Sequence, residues 1–270
     1  MRDTGTEVLQ EGIAMSISGR SIIITGGTSG IGEGFTRHFA EIGAKVVTSS
    51  IQREAGEALQ EELRAAGHDV SYIYCDVTDE MQVADLVQQT VALHGRVDGA
   101  CSNAGAWVEG TVEDFDDAQW DLVMGVNLRG NLLLAKHLVP VFRGQGEGVL
   151  LITTSTAAYV GFPAHALYCA SKSALVALIR CLTKDHAGYM RCVGICPGTI
   201  DTPMLAASAE GFDQPIDELY AEVAEKIPVK RLGTPEDVAK AAAFLLSDDA
   251  GFIAGSSVFL EGGTLALPPW

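Results

Sequence analysis

Short apolar runs rich in β-branched residues alternate along the chain with segments of helical periodicity. The runs are too short for helices, and their continuous apolar character is typical of strands covered on both faces. They lie at 21–25, 45–48, 70–75, 97–101, 149–153, 192–196 and 258–260. This alternation predicts one doubly wound α/β domain, with a mainly parallel sheet of about seven strands and helices on both faces.

The segments between the runs carry the start and stop signals of helices. Gly43 and Gly67 stand where two helices should end, because glycine readily adopts the left-handed conformation of a helix cap. Thr234 followed by Pro235 predicts the start of a late helix. Two long apolar helices are predicted over 118–142 and 166–187, and the irregular stretch 206–215 is predicted to be a mobile loop.

The chain shows no internal repeat and no linker that would divide it. Residues 1–11 are polar and carry acidic side chains, and they lack the basic and then apolar segments of a secretory signal. Residues 1–17 are predicted to be a flexible leader, and residues 18–270 are predicted to form the domain.

Composition excludes several classes of function. Hydrophobic residues make up 47% and charged residues 20% of the chain, which suits a globular protein. The formal net charge of −17 repels phosphate backbones and anionic membranes, so neither nucleic acid nor a membrane is an expected partner. The six cysteines form no CxxC pair, which favours buried reduced thiols in a cytoplasmic protein and no metal site.

A glycine-rich segment, TGGTSGIG at 25–32, follows the first apolar run and precedes a helix. Glycines there allow a sharp turn and a close approach to a ligand, and the N–H groups that begin the helix would face a pyrophosphate. The spacing is GxxxGxG. A plain tight turn is the alternative interpretation of this segment taken alone.

Tyr168 and Lys172 are spaced i, i+4 and therefore share one helix face. A nearby ammonium favours the phenolate, which makes a tyrosine more useful as an acid or base. The pair alone would equally suit a solvated surface. Ser155 favours the catalytic interpretation, because it follows the fifth strand and strand C-termini line the ligand crevice of such sheets.

Further motifs appear in order along the chain. They are Asp76-Val77, Ser102-Asn103-Ala104-Gly105, Asn127, Ser155, Tyr168-x-x-x-Lys172 and Pro197-Gly198-Thr199-Ile200-Asp201-Thr202. With the glycine-rich segment, this series over 18–263 resembles the short-chain dehydrogenase/reductase family. Ser102 departs from the asparagine that the family usually has there.

The resemblance implies a Rossmann-type domain and an enzyme that transfers a hydride between NAD(P) and a ketone or secondary alcohol. Ser155 would donate a hydrogen bond to the substrate oxygen, and Tyr168 would exchange the proton. Lys172 would hold the nicotinamide ribose and lower the pKa of the tyrosine. Asn127 would order a water that links Lys172 to solvent; a merely helix-distorting polar residue is the alternative.

The resemblance also implies a set of contacts with the cofactor and requires no metal. The expected cofactor-binding residues are Gly26, Thr28, Ser29, Gly30, Ile31, Gly32, Ser50, Asp76, Val77, Asn103, Ala104, Gly105, Tyr168, Lys172, Pro197, Ile200 and Thr202.

The second strand ends without an acidic residue, which bears on the choice of cofactor. Ser50 stands roughly where NAD-preferring relatives have an aspartate that binds the ribose 2′-hydroxyl and repels a 2′-phosphate. Its absence, and the similarity of the Ser-Ser segment to NADP-using beta-ketoacyl reductases, favour NADP. The arginine often found directly after this position is absent, since Ile51 is there and Arg53 comes later, so NAD stays an alternative.

The substrate is left open, because one fold hosts many functions. The segment 227–239 is similar to beta-ketoacyl reductases but is shared by many relatives. Met204, Leu205, Phe212 and Leu219 suggest an apolar wall. Trp107 and His165 are candidate pocket residues without a catalytic role.

Two other kinds of function are weighed against an enzyme: a non-catalytic nicotinamide-binding redox sensor, and a scaffold subunit of a larger complex. The complete set of four reactive residues favours the enzyme. The two long helices carry apolar residues around more than one face and few charges, which predicts a partner surface. In the family these helices pair across a two-fold axis and the C-terminal strand often makes a second interface, so a homotetramer is expected. The alternative is that the leader or the tail 265–270 covers the apolar excess within the subunit.

Overall fold

The computed structural model describes residues 17–209 and 214–266. The expected leader lies outside the described residues except for Ile17, which is fully buried in the core.

Seven parallel strands form one sheet in the order β3-β2-β1-β4-β5-β6-β7, which confirms the predicted fold class. Every predicted run is a strand, with ends that differ by at most two residues. The strands are β1 Ser21–Thr25, β2 Lys45–Ser50, β3 Val70–Tyr74, β4 Gly99–Ser102, β5 Val149–Thr153, β6 Arg191–Pro197 and β7 Ser257–Leu260.

Helices cover both faces of the sheet, as the continuous apolar strands require. Two separate apolar cores result. One lies between the sheet and α1, α2 and α9, and the other lies between the sheet and α3, α5 and α6. The helices are α1 Gly30–Glu41, α2 Arg53–Ala65, α3 Glu80–His94, α4 Asp117–Met124, α5 Gly130–Gln145, α6 Ala166–Asp185, α7 Pro203–Ala209, α8 Ile216–Lys226 and α9 Pro235–Leu246.

The first and last of these helices pack closely against each other. A Cβ added to Gly34 on α1 would lie 2.7 Å from Cβ of Pro235, so the glycine lets α9 approach. Thr234 caps α9 as predicted, and it exchanges hydrogen bonds with Asp237 in a capping box. Gly43 and Gly67 follow their helices in the left-handed conformation, also as predicted.

The long helix predicted over 118–142 is present as a continuous helical segment over 117–145. A π-helical turn that was not predicted, Gly125–Arg129, divides it into α4 and α5. The predicted loop 206–215 begins within α7, and residues 210–213 lie outside the described residues.

The cysteines only partly fit their prediction. All six are free thiols, and four are buried, but Cys181 is exposed on α6 and Cys169 is half-buried.

By length and composition α6 could cross a membrane, and it is the one described helix for which this holds. Its inner face nevertheless packs on the sheet through Leu175, Ile179 and Leu182.

Candidate active site

A cleft of about 890 Å³ runs along the carboxyl edge of the sheet. It spans the point between β1 and β4 where the strand order reverses, which is where open α/β sheets bind ligands. Within the described residues, the cleft gathers nearly all the predicted cofactor and catalytic positions. Those that line it are Gly26, Thr28, Ser29, Gly30, Ile31, Ser50, Asp76, Val77, Asn103, Ala104, Gly105, Ser155, Tyr168, Lys172, Pro197, Ile200 and Thr202.

Two predicted residues stand behind the cleft wall. A Cβ at Gly32 would lie 2.0 Å from the carbonyl oxygen of Gly26, so Gly32 allows the turn to fold onto the start of α1. Asn127 is fully buried in the π-helical turn.

The glycine-rich turn is held against the end of β4. Gly26 has a φ of 63°, and a Cβ there would lie 2.8 Å from Cα of Ala104. Thr25 Oγ1 accepts hydrogen bonds from the backbone N–H groups of Asn103 (3.0 Å) and Ala104 (3.3 Å). The two loops therefore form one continuous backbone cradle at the N-terminus of α1, where unpaired N–H groups favour an anion.

Asn103 joins three strands at this edge. Its Nδ2 donates to Gly26 O (3.3 Å), and its Oδ1 accepts from Thr153 Oγ1 (3.1 Å). Asp76, which follows β3, is hydrogen-bonded within its own turn, where Oδ1 accepts from N and Oγ1 of Thr78 (2.9 and 2.8 Å). Both residues thus fix the backbone that lines the cleft.

The end of β2 is uncharged and closely hydrogen-bonded. Thr28 Oγ1 lies 2.9 Å from Ser50 Oγ and 2.8 Å from Gln52 Oε1. Arg53, the first residue of α2, has its guanidinium 4.8 Å from the centroid of the Tyr74 ring at the end of β3. An arginine therefore lies beside this strand end, two residues beyond Ile51.

Tyr168 and Lys172 lie on the inner face of α6, directed towards the ends of β4 and β5. Lys172 is only 4% exposed, and its Nζ donates to Thr153 O (3.0 Å) and lies 5.7 Å from the centroid of the Tyr168 ring. Burial lowers the pKa of Lys172 to about 8, because it disfavours the charged ammonium.

The pKa of Tyr168 is raised above its usual range. Burial disfavours the phenolate, and the nearby Ser155 hydroxyl offsets this only partly. Ser155 itself precedes a short 3-10 turn and accepts a hydrogen bond from Ala157 N (3.1 Å). Its oxygen thus has a fixed direction next to the tyrosine.

Asn127 connects three segments behind the cleft. Its Oδ1 accepts from Ala106 N (2.8 Å), and its Nδ2 donates to Ala106 O (2.8 Å) and Ser171 Oγ (2.9 Å). Its backbone oxygen accepts from Asn131 Nδ2 (2.7 Å). The asparagine therefore holds the loop after β4 and the helix of Tyr168 at fixed positions.

The other end of the cleft is apolar, and the sequence revealed only part of it. Trp107, His165, Met204 and Leu205 line it, whereas Leu219 is not among the residues that do. Phe212 lies outside the described residues. Residues that the sequence did not single out also line this end: Ala106, Glu109, Leu122, Val126, Phe162, Pro163, Ala164 and Ser208. These residues belong to no recognisable motif. The sequence feature that could have pointed to them is Phe162-Pro163, an aromatic residue and a proline shortly before Tyr168.

Comparison with known proteins agrees with this geometry. A family model described as enoyl-(acyl carrier protein) reductase matches residues 26–264. The chain is 36% identical to (+)-borneol dehydrogenase 1 of Salvia officinalis over 270 residues, covering 95% of this chain and 98% of the relative. The chain belongs to the short-chain dehydrogenase/reductase family, and it is an NAD(P)-dependent oxidoreductase that acts on CH–OH groups.

Solved structures show the same architecture. The crystal structure of levodione reductase superposes with a TM-score of 0.88 at 33% identity, covering 94% of this chain and all of that chain. A gluconate 5-dehydrogenase from Burkholderia cenocepacia J2315, in complex with NADP and tartrate, superposes with a TM-score of 0.87 at 26% identity, covering 94% and 98%.

Proposed function

We propose that this protein interconverts a ketone and a secondary alcohol by hydride transfer, with Tyr168 as the general acid and base. One observation carries the proposal. The cleft that holds the glycine cradle of α1 also holds Ser155 from the end of β5 and Tyr168 and Lys172 from α6.

The residues of the cleft fit a nicotinamide dinucleotide. Gly26 and Gly30 leave room in the cradle that a Cβ would fill, since a Cβ at Gly30 would lie 3.3 Å from the Thr202 side chain. The start of α1 would hold the pyrophosphate. Lys172 would reach the ribose, and Pro197 and Ile200 would flank the nicotinamide, which when bound supplies or accepts the hydride.

The raised pKa of Tyr168 favours the protonated side chain, and so it favours proton donation to the substrate. Because burial raises the pKa of Tyr168 above the usual range of a tyrosine, the side chain is a neutral phenol at pH 7 and can donate a proton to a carbonyl oxygen. Ser155 would hydrogen-bond the same oxygen and so orient it. The reverse reaction needs the phenolate, whose population grows about tenfold per pH unit below the pKa.

Cofactor choice follows from the end of β2. Ser50 and Gln52 bring hydroxyl and amide groups without negative charge, and Arg53 lies close by. A ribose 2′-phosphate would meet no carboxylate there, which supports NADP, with NAD as the weaker cofactor.

The setting of α6 supports a soluble enzyme, and a cytoplasmic location is part of the proposal. This helix is apolar, but it carries Lys172 into the protein interior and packs on the sheet through Leu175 and Ile179. A membrane location would separate these groups from the cleft.

The test is the variant Tyr168→Phe, which keeps the ring and removes the ionisable hydroxyl. Ketone reduction with NADPH should fall by at least about 10²-fold, the usual scale of general acid–base catalysis. In the wild type, alcohol oxidation should rise about tenfold per pH unit from pH 7 to 9, and the variant should lose that slope.

Tyr189→Phe is the matched control, because Tyr189 is half-buried and hydrogen-bonded to His186 outside the cleft. It should leave turnover and pH slope unchanged. Wild-type turnover by Tyr168→Phe would refute the role, and cofactor binding without turnover of any ketone would favour a sensor or scaffold.

A further inference from the structure

Three aromatic rings form a wall at the apolar end of the cleft. Trp107 and His165 stack with their centroids 5.5 Å apart and their planes only 9° apart. Phe162 packs edge-on against His165, with centroids 6.4 Å apart. All three line the cleft, and none is among the expected cofactor contacts.

The backbone holds this wall in place. Gly110 N donates to Ala164 O (2.8 Å) and so ties the loop that carries Trp107 to the loop that carries His165. His165 Nδ1 lies 2.6 Å from Pro163 O. Since a carbonyl oxygen only accepts, Nδ1 must donate, and the ring is fixed in orientation.

Ala164 has a φ of 54°, the left-handed region that residues with a Cβ rarely adopt. Such backbone persists only where surrounding contacts hold it, and it concentrates at functional sites. The wall is therefore a fixed surface and not a pair of adaptable loops.

The surroundings of the wall are mainly apolar and poor in cations. Leu122, Val126, Met204 and Leu205 line this end of the cleft, together with Ser208 and the carboxylate of Glu109. Among the described residues that line the cleft, Lys172 is the only lysine or arginine. Its ammonium donates a hydrogen bond to Thr153 O, at the end of the cleft proposed for the cofactor.

Resting on the proposed function, we propose that the substrate is a compact, uncharged ring ketone or the corresponding alcohol. Its ring would lie against the wall of Trp107, His165 and Phe162. A rigid aromatic surface buries most area against a ring, and apolar clefts with few polar groups bind uncharged ligands. A coenzyme-A or carrier-linked acyl substrate carries phosphates, which call for arginine or lysine, and the described residues at this end of the cleft include neither.

The experiment compares three substrates in NADPH oxidation: 1-decalone, 2-decanone and acetoacetyl-coenzyme A. The first two are ten-carbon ketones that differ chiefly in shape. We expect kcat/KM for 1-decalone to exceed the other two values by at least about tenfold, the scale on which pocket fit discriminates.

Trp107→Ala should lower kcat/KM for 1-decalone by roughly 10–100-fold and that for 2-decanone by less than about threefold, because the open chain depends less on the flat surface. Trp107→Phe keeps a flat ring and should retain most of the preference. Phe252→Ala removes an aromatic ring that is fully exposed away from the cleft, and it should change neither value.

The substrate class is overturned if acetoacetyl-coenzyme A or 2-decanone is the better substrate, if none of the three is turned over, or if a folded Trp107→Ala slows both ketones equally. A better open-chain or thioester substrate whose turnover still depends on Tyr168 would leave the proposed function standing. Turnover that survives Tyr168→Phe would remove the proposed function itself.

Discussion

The side chains at the end of β2 decide how much negative charge a cofactor ribose would meet. Ser50 is buried, and its hydroxyl is engaged by Thr28 Oγ1 and by the backbone N–H of Gln52 (3.0 Å). Its backbone oxygen accepts from Tyr72 Oη (2.9 Å). The position is therefore well ordered, and a new group placed there would be held in the same direction.

Ser50→Asp should shift cofactor preference towards NADH. The carboxylate would repel a 2′-phosphate and accept a hydrogen bond from a 2′-hydroxyl. We expect the ratio of kcat/KM for NADPH to that for NADH to fall by at least about tenfold, equivalent to roughly 1.4 kcal/mol of lost discrimination. Initial rates with each cofactor at fixed ketone concentration measure it.

Ser18→Asp is the control, because it adds the same charge at an exposed position before β1, on the opposite edge of the sheet. It should leave the ratio unchanged. An equal ratio in Ser50→Asp and wild type would show that this residue does not face the ribose.

Among the elements, the π-helical turn has the most influence on the site. It interrupts what would otherwise be one helix from Asp117 to Gln145, and it places Asn127 against the loop after β4 and against Ser171 on α6. The widened turn frees backbone groups, and Asn131 Nδ2 takes up one of them, the carbonyl of Asn127.

Asn127→Ala should destabilise the protein and loosen the site together. It leaves the half-buried N–H and C=O of Ala106 without their partner and removes a donor from the buried Ser171 hydroxyl, and an unpaired polar group costs about 1–3 kcal/mol where it is buried. We expect the free energy of unfolding to fall by about 2–4 kcal/mol, measured by urea denaturation, with a parallel loss in kcat.

Gln89→Ala removes an exposed side-chain hydrogen bond to Asp85 on α3 and serves for comparison. Its effect on unfolding should stay within about 0.5 kcal/mol. A similarly small effect of Asn127→Ala would mean that the π-helical turn holds its shape without the asparagine.

The sequence predicted elements where local physics decides them. The predicted and observed ends of β1 and β5 are the same, because their apolar runs are bounded by polar turns. The start of α9 was predicted from its capping residue, Thr234. The division of α4 from α5 was not predictable from periodicity. It depends on Asn127 reaching Ala106 and Ser171, and those contacts exist only after the chain has folded.

The same distinction applies to the site. Motif residues such as Tyr168 and Lys172 could be placed in advance by spacing and resemblance. Phe162 and the left-handed Ala164 could not, because their position depends on a hydrogen bond between two loops more than 50 residues apart.

Over the whole molecule, apolar surface remains where the long helices face outward. In α6, an 18-residue window has a mean hydropathy of 1.3, yet less than a third of it is buried. Trp120 on α4 and Leu132 on α5 are nearly half exposed. This is the pattern expected of a surface that a partner covers.

We expect a tetramer of identical subunits in solution. Two isologous interfaces per subunit would produce this tetramer. Light scattering at micromolar concentration should give four times the monomer mass. Leu132→Glu should place a charge in the interface of the long helices and reduce the mass to that of a smaller species.

Leu93→Glu introduces the same charge at a similarly exposed leucine on α3 and should leave the mass unchanged. A monomeric mass for the wild type would overturn the assembly. It would also mean that the apolar faces are covered within the subunit.

The packing of α9 on α1 has a consequence for the order in which the protein can be completed as it is synthesised. Every residue proposed for the chemistry has been made once the chain reaches Lys172, and both loops of the cofactor cradle, the glycine-rich turn and the loop after β4, are made before that. The outer side of α1 nevertheless stays open until residues 235–246 arrive, because Val238, Ala239 and Ala242 share a core with Phe35 and Phe39. A nascent chain therefore holds its full set of reactive groups long before the helix that begins the cofactor cradle is supported from behind.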